Sequence, residues 1–149
     1  MIETAVRLGA AQDLASAASV DALAVPGSER WISLAAFLDG SRGWCLLAGP
    51  AGRPEASAAL GYVAVAPRRF FGRDFVELLV VAEAHRGNGV GRELLAAAVS
   101  RAETSTIFTS TNESNRPMRA LLGATGWSVS GALTGLDDAD PEIVFYRTT

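Results

Sequence analysis

Short runs of alternating or helically spaced apolar residues predict a mixture of strands and helices along this chain. Alternation over residues 2–8 predicts a first strand, and helical spacing predicts a helix from Gln12 to about Ala24. The Pro26-Gly27 pair would end that helix, since neither residue is favourable in a helix interior. Ser28 then suits the N-cap of a second helix over residues 29–40.

The middle of the chain is rich in strand-forming residues. The segments "GWCLLAG" and "ASAALGYVAVA" are typical of two strands joined by a turn that contains glycine and proline. The following run, "RDFVELLVVA", is so densely apolar that it predicts a strand covered on both faces.

The second half of the chain alternates between helix and strand patterns. A leucine-rich helix pattern is followed by the strand "STIFTST", and Pro117 suits the first turn of another helix, which Gly126 would end. Two strands, "WSVSGAL" and "EIVFYRT", flank an acidic turn. We therefore expect one α/β (α+β) domain over residues 1–149, with a mixed central sheet of about six to seven strands and about four helices.

Composition narrows the class of protein. With 149 residues, of which 49% are hydrophobic and 19% charged, the chain is typical of a globular domain. A net charge of −3 argues against a nucleic-acid partner, since such proteins usually present a basic surface. The sequence has neither a signal-peptide pattern nor the roughly 20 apolar residues of a membrane helix, so we expect no membrane partner.

The single cysteine and the single histidine bear on compartment and chemistry. Cys45 cannot form an internal disulfide, which favours a reducing, cytoplasmic setting, and its apolar neighbours favour a buried, inert thiol. Together, Cys45 and His85 leave no plausible zinc site, so we expect no metal.

Three glycines stand in the segment "AHRGNGVGRELL", residues 84–95, between a strand pattern and a helix pattern. Such a turn lets several backbone N–H groups converge, and the following helix adds about half a positive charge at its N-terminus. Arg86 and Arg92 would reinforce this field, so the segment predicts an anion site, with a phosphate group as the expected ligand. A tight turn without a ligand is the alternative interpretation.

Two common nucleotide motifs do not fit these glycines. A Walker loop needs Gly-Lys-Ser/Thr, which the chain lacks. The dinucleotide motif needs G-x-G-x-x-G and an acidic residue at the end of the next strand, whereas this chain has G-x-G-x-G and ends that strand in Thr111-Asn112. NAD is therefore disfavoured as the ligand.

The segment instead resembles the pyrophosphate loop of the GNAT superfamily of N-acetyltransferases, Gln/Arg-x-x-Gly-x-Gly/Ala. Arg86, Gly89 and Gly91 stand at its three specified positions. The order of predicted elements also resembles the family over almost the whole chain. The helix that starts near Asn115 is similar to the family's N-x-x-A…G-F segment, although methionine replaces the alanine and Trp127 the phenylalanine.

This resemblance implies a GNAT-like fold and acetyl-CoA as co-substrate. The pyrophosphate would lie on the glycine loop, and the pantetheine arm beside the preceding strand. In the family that strand splays from its neighbour, so that its unpaired backbone groups bind the pantetheine amides. Asn115 would serve equally well as a helix cap. The cofactor-binding residues that the resemblance implies are Leu79, Val80, Val81, Arg86, Gly87, Asn88, Gly89, Val90, Gly91, Arg92, Asn112 and Asn115.

Glu77 is the candidate catalytic base. On a two-residue period it shares a face with Phe75, Leu79 and Val81, and desolvation by such neighbours would raise its pKa toward the range useful for deprotonating an ammonium group. It also resembles the glutamate that some GNAT members use as a base, directly or through water. A solvent-facing glutamate, or one paired with Arg69 or Arg73, is the alternative.

Many family members carry a tyrosine as general acid in the last helix, but Leu122 stands at that position here. A thiol has a pKa of about 8.5, so the thiolate of CoA can leave without much help. Tyr62 or Tyr146 is an alternative donor, although a strand tyrosine is more often a packing residue.

Charged and aromatic residues near the expected acceptor cleft indicate two kinds of acceptor. In the family, the last hairpin and the two early helices border the acceptor cleft. Carboxylates in the turn of this hairpin would attract a cationic amine. The alternative is that they are solvated and bind no ligand. Arginines near the third and fourth strands would favour an acidic substrate, and neighbouring phenylalanines line a pocket or pack. These groups are Asp137, Asp138, Asp140 and Glu142; Arg68, Arg69 and Arg73; and Phe70 and Phe71.

We therefore expect an acetyltransferase that moves an acetyl group from acetyl-CoA to a primary amine of a small molecule or peptide. The alternative is a catalytically silent module that binds or senses acyl-CoA, which Leu122 in place of the tyrosine favours. Whether the chain forms a homodimer stays open.

Overall fold

A mixed sheet of seven strands forms the centre of the computed structural model, which describes residues 3–52, 58–137 and 139–149. In chain order the strands are β1 (Thr4–Leu8), β2 (Trp44–Pro50), β3 (Gly61–Phe70), β4 (Arg73–Val81), β5 (Thr106–Asn112), β6 (Ser128–Leu133) and β7 (Glu142–Thr148). Across the sheet they lie in the order β1-β2-β3-β4-β5-β7-β6, and β4 and β5 are parallel while the other neighbours are antiparallel. The predicted mixed sheet is confirmed.

Four α-helices flank the sheet in the described part of the chain: α1 (Leu14–Ala18), α2 (Glu29–Leu38), α3 (Val90–Arg101) and α4 (Arg116–Ala124). Helix α2 begins at the predicted cap, where Oγ of Ser28 accepts the N–H of Trp31 at 3.2 Å. Helix α4 begins after Asn115 and carries Pro117 in its first turn, as predicted.

Helix α1 is much shorter than the helix predicted over residues 12–24. A 3-10 turn, Ala11–Asp13, precedes it, and turns follow Ala18. The carboxylate of Asp21 accepts the N–H of Leu23 at 3.0 Å, and a side chain that bonds the backbone two residues on favours a turn over a helix. The apolar spacing therefore predicted the element but not its length.

The helices form two layers, with a separate core on each face of the sheet. On one face α3 and α4 contribute Leu94 and Leu122, which are fully buried. On the other face α1 and α2 pack over β2 and β3, and this core contains Cys45. Burial raises the pKa of the Cys45 thiol to about 12, which supports the interpretation of an inert thiol.

Strands β4 and β5 pair over three residues and then separate. The register runs from Asp74 opposite Ile107 to Val76 opposite Thr109, and among the described residues it goes no further. The buried hydroxyl of Thr109 donates to the Val76 carbonyl at 3.0 Å, at the point where the strands part. Beyond this point the edge of β4, residues 77–81, borders an opening in the sheet, which confirms the expected splay.

The opening explains why β4 is less buried than its apolar sequence predicts. Asp74 and Val76 are buried, whereas every residue from 77 to 81 is partly exposed. Both faces of this half of β4 are covered as expected, since Leu79 and Val81 pack against one core and Val80 against the other. The partial exposure comes from the edge of β4, because β5 does not pair with it there.

The closed end of the opening is held by Asp74, which is fully buried. Its Oδ1 accepts the N–H of Arg68 at 3.0 Å, and its Oδ2 accepts the N–H of Glu103 at 2.8 Å. Its own N–H donates to the Thr104 hydroxyl at 3.0 Å. One residue thus ties the last part of β3 to the segment that leads into β5.

Replacing Asp74 by asparagine is expected to lower the free energy of unfolding by about 1–3 kcal/mol, because the amide nitrogen cannot accept one of the two N–H groups that the carboxylate binds. Urea denaturation measures this loss. The exposed Glu113→Gln substitution is the matched control and should change stability by less than about 0.5 kcal/mol. Equal stability of Asp74→Asn and the wild type would contradict the role given to Asp74.

Candidate active site

A β-bulge places Glu77 at the start of the opening. In the register with β3, Leu78 lies opposite Ala64 and Val76 lies opposite Val65, so Glu77 is an extra residue between them. Such a bulge turns a side chain away from the direction that strict alternation would give it.

The bulge overturns part of the sequence prediction for β4. Leu79 and Val81 pack against the α3–α4 core, and Val80 packs against the α1–α2 core. The carboxylate of Glu77 contacts Arg42, which follows α2 and therefore lies on the α1–α2 face. The prediction that Glu77 shares a face with Leu79 and Val81 is wrong, because alternation restarts after the extra residue.

An ion pair with Arg42 orients the Glu77 carboxylate. Nη2 of Arg42 lies 3.0 Å from Oε2 and 3.3 Å from Oε1, and the two side chains keep exposed fractions of 43% and 24%. In the described residues this partner replaces the alternatives Arg69 and Arg73. Positions 42 and 77 share no sequence motif, so spacing alone could not have identified Arg42.

The glycine segment forms the turn that carries β4 into α3. Gly87 and Gly89 have φ angles of 81° and 84°, in the left-handed region that favours glycine. Gly89 directly precedes α3, and its carbonyl accepts the N–H of Glu93 at 3.0 Å. The amides of residues 90–92 belong to the first helical turn, where N–H groups have no acceptor within the helix, so they are available to an anion.

The two arginines of this loop point in different directions. Nε of Arg86 donates to the Val81 carbonyl at 3.3 Å, so its guanidinium stays beside the open edge of β4. Nη2 of Arg92 donates to the Ala124 carbonyl at 3.1 Å, at the C-terminus of α4. Arg86 is therefore the better placed of the two to contact an anion in the opening.

Packing accounts for part of the remaining loop sequence. The side chain of Val90 is buried in the core. A Cβ at Gly91 would lie 3.2 Å from Cδ2 of Leu121, so glycine here lets α3 approach α4 closely. Asn88 is exposed in the loop.

The two predicted asparagines lie at the end of β5 and just beyond it. Nδ2 of Asn112 is 3.4 Å from Oδ2 of Asp137 and 3.4 Å from the carbonyl of Asp140, so it faces the acidic turn. Oδ1 of Asn115 accepts the N–H of Met118 at 3.2 Å. Asn115 thus caps α4, which is the alternative that the sequence left open.

The acidic turn between β6 and β7 packs against the end of β5. Asp140 accepts both the N–H and the hydroxyl of Ser114, and these bonds lower the pKa of Asp140. Oε2 of Glu142 accepts the Ser110 hydroxyl at 2.7 Å. Asp138 lies outside the described residues. Asp140 and Glu142 therefore already have hydrogen-bond donors of their own.

The alternative proton donors lie in different surroundings. Leu122 is fully buried. The buried hydroxyl of Tyr62 donates to Oδ2 of Asp21 at 2.7 Å, and burial raises the pKa of Tyr62 above its ordinary value. Tyr146 is 37% exposed, with its ring 6.0 Å from that of Phe108. The proton of Tyr62 is therefore committed to Asp21, which makes Tyr62 a packing residue.

A groove of about 490 Å³ lies between the β3–β4 turn and β6. Phe70 and Phe71 line it, and Phe71 is 91% exposed. The ring of Phe70 also packs at 4.9 Å from Phe75 and 5.1 Å from Phe108. Phe70 thus fulfils both interpretations, because it packs and lines a pocket.

A buried polar cluster fixes the segment between α1 and α2. Oδ2 of Asp21 accepts the Tyr62 hydroxyl and Nη1 of Arg30, both at 2.7 Å. Burial alone would raise the pKa of Asp21, but these two bonds and one from the N–H of Leu23 outweigh it and hold the pKa below its ordinary value.

The fold matches that of solved acetyltransferases. A GNAT-family acetyltransferase from Bacillus cereus ATCC 10987 has a TM-score of 0.85 at 29% identity, over 99% of this chain and 98% of that one. The ribosomal-protein-S18-alanine N-acetyltransferase of Escherichia coli has a TM-score of 0.75 at 15% identity, over 98% and 94%. The protein yncA of Salmonella typhimurium, solved with its cofactor acetyl-CoA, has 0.73 at 18%, over 97% and 93%. These similarities define the class of protein as a GNAT-type acetyltransferase fold.

The sequence places the chain within that class. The acetyltransferase (GNAT) family matches residues 12–127, so the chain belongs to this family. A search of curated proteins gives no match. Within the described ranges, no helix is long and apolar enough to cross a membrane, and no three His, Cys, Asp or Glu side chains are grouped to hold a metal ion.

The Asp21 cluster predicts a pH-dependent contribution to stability. Because the pKa of Asp21 is lower in the folded state, the stabilisation is present above its unfolded pKa of about 3.9 and is lost as pH falls through the folded pKa. Urea denaturation of wild type and Asp21→Asn should give a stability difference that is full near pH 6 and shrinks below about pH 4. A difference that does not change with pH would contradict this.

Proposed function

We propose that this protein is a cytoplasmic N-acetyltransferase that transfers the acetyl group of acetyl-CoA to a primary amine of a small molecule or peptide. The single observation that carries the proposal is the opening between β4 and β5, which ends at the glycine turn before α3. Membership of the acetyltransferase (GNAT) family supports acetyl transfer. The unpaired, buried Cys45 is consistent with a reducing compartment.

The residues of the opening fit the cofactor in chemistry and position. The amides of residues 90–92 and the guanidinium of Arg86 would hold the pyrophosphate, with Gly87 and Gly89 supplying the turn. The open edge of β4 from Leu79 to Val81 would hold the pantetheine amides through its backbone groups. When bound, acetyl-CoA supplies the acetyl group as a reactive thioester.

Glu77 is proposed as the base. The acceptor arrives as an ammonium ion, and its nitrogen must lose a proton before it can attack a carbonyl carbon. The partly exposed carboxylate of Glu77, at the mouth of the opening, takes this proton directly or through one water. A backbone N–H near Val81, where β4 is unpaired, would stabilise the negative charge that develops on the thioester oxygen.

A general acid is not required by this mechanism. Leu122 stands at the position where many family members carry a tyrosine, and it packs in the core. A thiol pKa of about 8.5 lets the thiolate depart and take its proton from water.

A catalytically silent acyl-CoA-binding module is the second candidate function. The Arg42 contact favours it, because a carboxylate already occupied by a guanidinium is less available as a base. The two functions differ in turnover and not in CoA binding, so they can be separated by experiment.

Substitution of Glu77 by glutamine is expected to lower kcat about 100-fold or more while leaving the Kd of CoA unchanged, because it removes the base without touching the CoA loop. Thiol release from acetyl-CoA over a broad amine panel measures turnover, and calorimetry measures CoA binding. Glu83→Gln, on an exposed residue of the preceding turn, is the matched control.

Each outcome of that experiment decides between candidates. Unchanged turnover in Glu77→Gln would overturn the base assignment. Tight CoA binding without acetylation of any amine would favour the silent module. Absence of CoA binding at millimolar ligand would refute both.

Gly89→Ala is expected to raise the Kd of CoA about tenfold. An L-residue at a φ angle of 84° costs about 1–2 kcal/mol, and relief of this strain would turn the loop amides away from the ligand. Gly123→Ala is the control, since Gly123 lies within α4 and an added Cβ there meets no atom within 4 Å. Equal affinity of Gly89→Ala and Gly123→Ala for CoA, measured by calorimetry, would contradict the loop assignment.

A further inference from the structure

The guanidinium of Arg42 stands beside the proposed base, in contact with solvent. Its Nη2 lies 3.0 Å from Oε2 of Glu77, and the Arg42 side chain is 43% exposed. A small molecule that reaches the Glu77 carboxylate therefore meets a positive charge at the same place.

The position of Arg42 is fixed by the backbone around it. Its N–H donates to the carbonyl of Ala36 at 3.0 Å, which closes the end of α2, and Gly40 makes the turn with a φ angle of 84°. The next residue, Gly43, packs so closely on β3 that a Cβ would overlap the Val65 carbonyl. The guanidinium carbon also lies 5.4 Å from the centre of the Phe37 ring.

Arg42 retains unused donors. Within the described residues its side-chain hydrogen bonds come from Nη2 alone, both of them to Glu77. An arginine side chain carries five N–H groups in a planar fork that matches the two oxygens of a carboxylate. Nε and Nη1 of Arg42 are therefore free to bind a carboxylate supplied by a ligand.

We propose that the acceptor carries a carboxylate next to its reacting amine, as a free amino acid does, and that Arg42 binds that carboxylate while Glu77 binds the ammonium group. The proposal rests on the acetyl transfer proposed above. A negative and a positive side chain 3.0 Å apart complement a molecule whose own opposite charges are close neighbours.

Every bond and proton in the proposed acetyl transfer is accounted for. Glu77 takes one proton from the ammonium group, and the neutral nitrogen forms a bond to the acetyl carbonyl carbon. The bond from that carbon to sulfur breaks, and CoA leaves as the thiolate. The nitrogen's second proton passes to solvent, which leaves an N-acetyl amino acid.

A simple cationic amine is a poorer match for this pair. When such an amine takes Glu77 as its partner, Arg42 faces a like charge and loses its own counter-ion. A carboxylate on the acceptor replaces that counter-ion.

The test compares acceptors that share a side chain and differ at the carboxylate. Phenylalanine, 2-phenylethylamine and phenylalaninamide form one such series, and leucine, methionine and lysine give others. The decarboxylated amine and the amide shift the acidity of the ammonium group in opposite directions, so a preference over both isolates the carboxylate. In the series that is turned over best, kcat/KM for the free amino acid should be at least about tenfold higher than kcat/KM for the decarboxylated amine and for the amide.

Arg42→Gln should lower kcat/KM for that amino acid about 10- to 100-fold and remove its advantage over the decarboxylated amine. The kcat/KM of Arg42→Lys for the amino acid should lie between the values for wild type and Arg42→Gln, because lysine keeps the positive charge but lacks the planar fork of N–H donors. Arg69→Gln, an exposed residue with the same change of charge, is the matched control and should retain the preference. CoA affinity should be the same in all three variants.

Equal or better turnover of the decarboxylated amine would overturn the proposal, as would an unchanged preference in Arg42→Gln. If CoA binds but no amine is acetylated, the proposed function fails separately. Calorimetry of the CoA-loaded protein with the free amino acids then decides the present proposal. Binding by wild type and not by Arg42→Gln supports it, and no binding by wild type overturns it.

Discussion

The site depends on the point at which β4 and β5 stop pairing. Beside Val76 the Thr109 hydroxyl satisfies the carbonyl at which the ladder ends, and Asp74 anchors the closed end with two backbone amides. Buried backbone groups need partners, so a sheet can open only where something else supplies them. On the closed side these partners are protein side chains, and on the open side we propose that they belong to acetyl-CoA.

Two local features turn this opening into a site for chemistry. The bulge at Glu77 directs a carboxylate onto the face opposite α3, so the proposed base and the proposed CoA loop approach the opening from different sides. The end of α2 brings Arg42 to the same carboxylate. In the proposed function, cofactor and acceptor would reach the reaction from opposite faces of one sheet, and separate residues would recognise each.

The fold was largely predictable from the sequence, because its signals are local. Ser28 and Asn115 cap the helices that follow them, and the glycine turn lies between the predicted strand and helix. The family resemblance implied the splay of β4. The site was less predictable, since a bulge depends on the register of two strands and the contact of Arg42 with Glu77 joins residues 35 positions apart. The shortening of α1 likewise arises from contacts of Asp21 that lie outside any helical pattern.

The most direct measurement is a crystal structure of the protein with CoA. The account predicts that the pantetheine arm lies between β4 and β5 beside Leu79–Val81, and that the pyrophosphate contacts the amides of residues 90–92. Binding of CoA elsewhere on the protein, or a ladder between β4 and β5 that continues from Val76 to Val81, would contradict it.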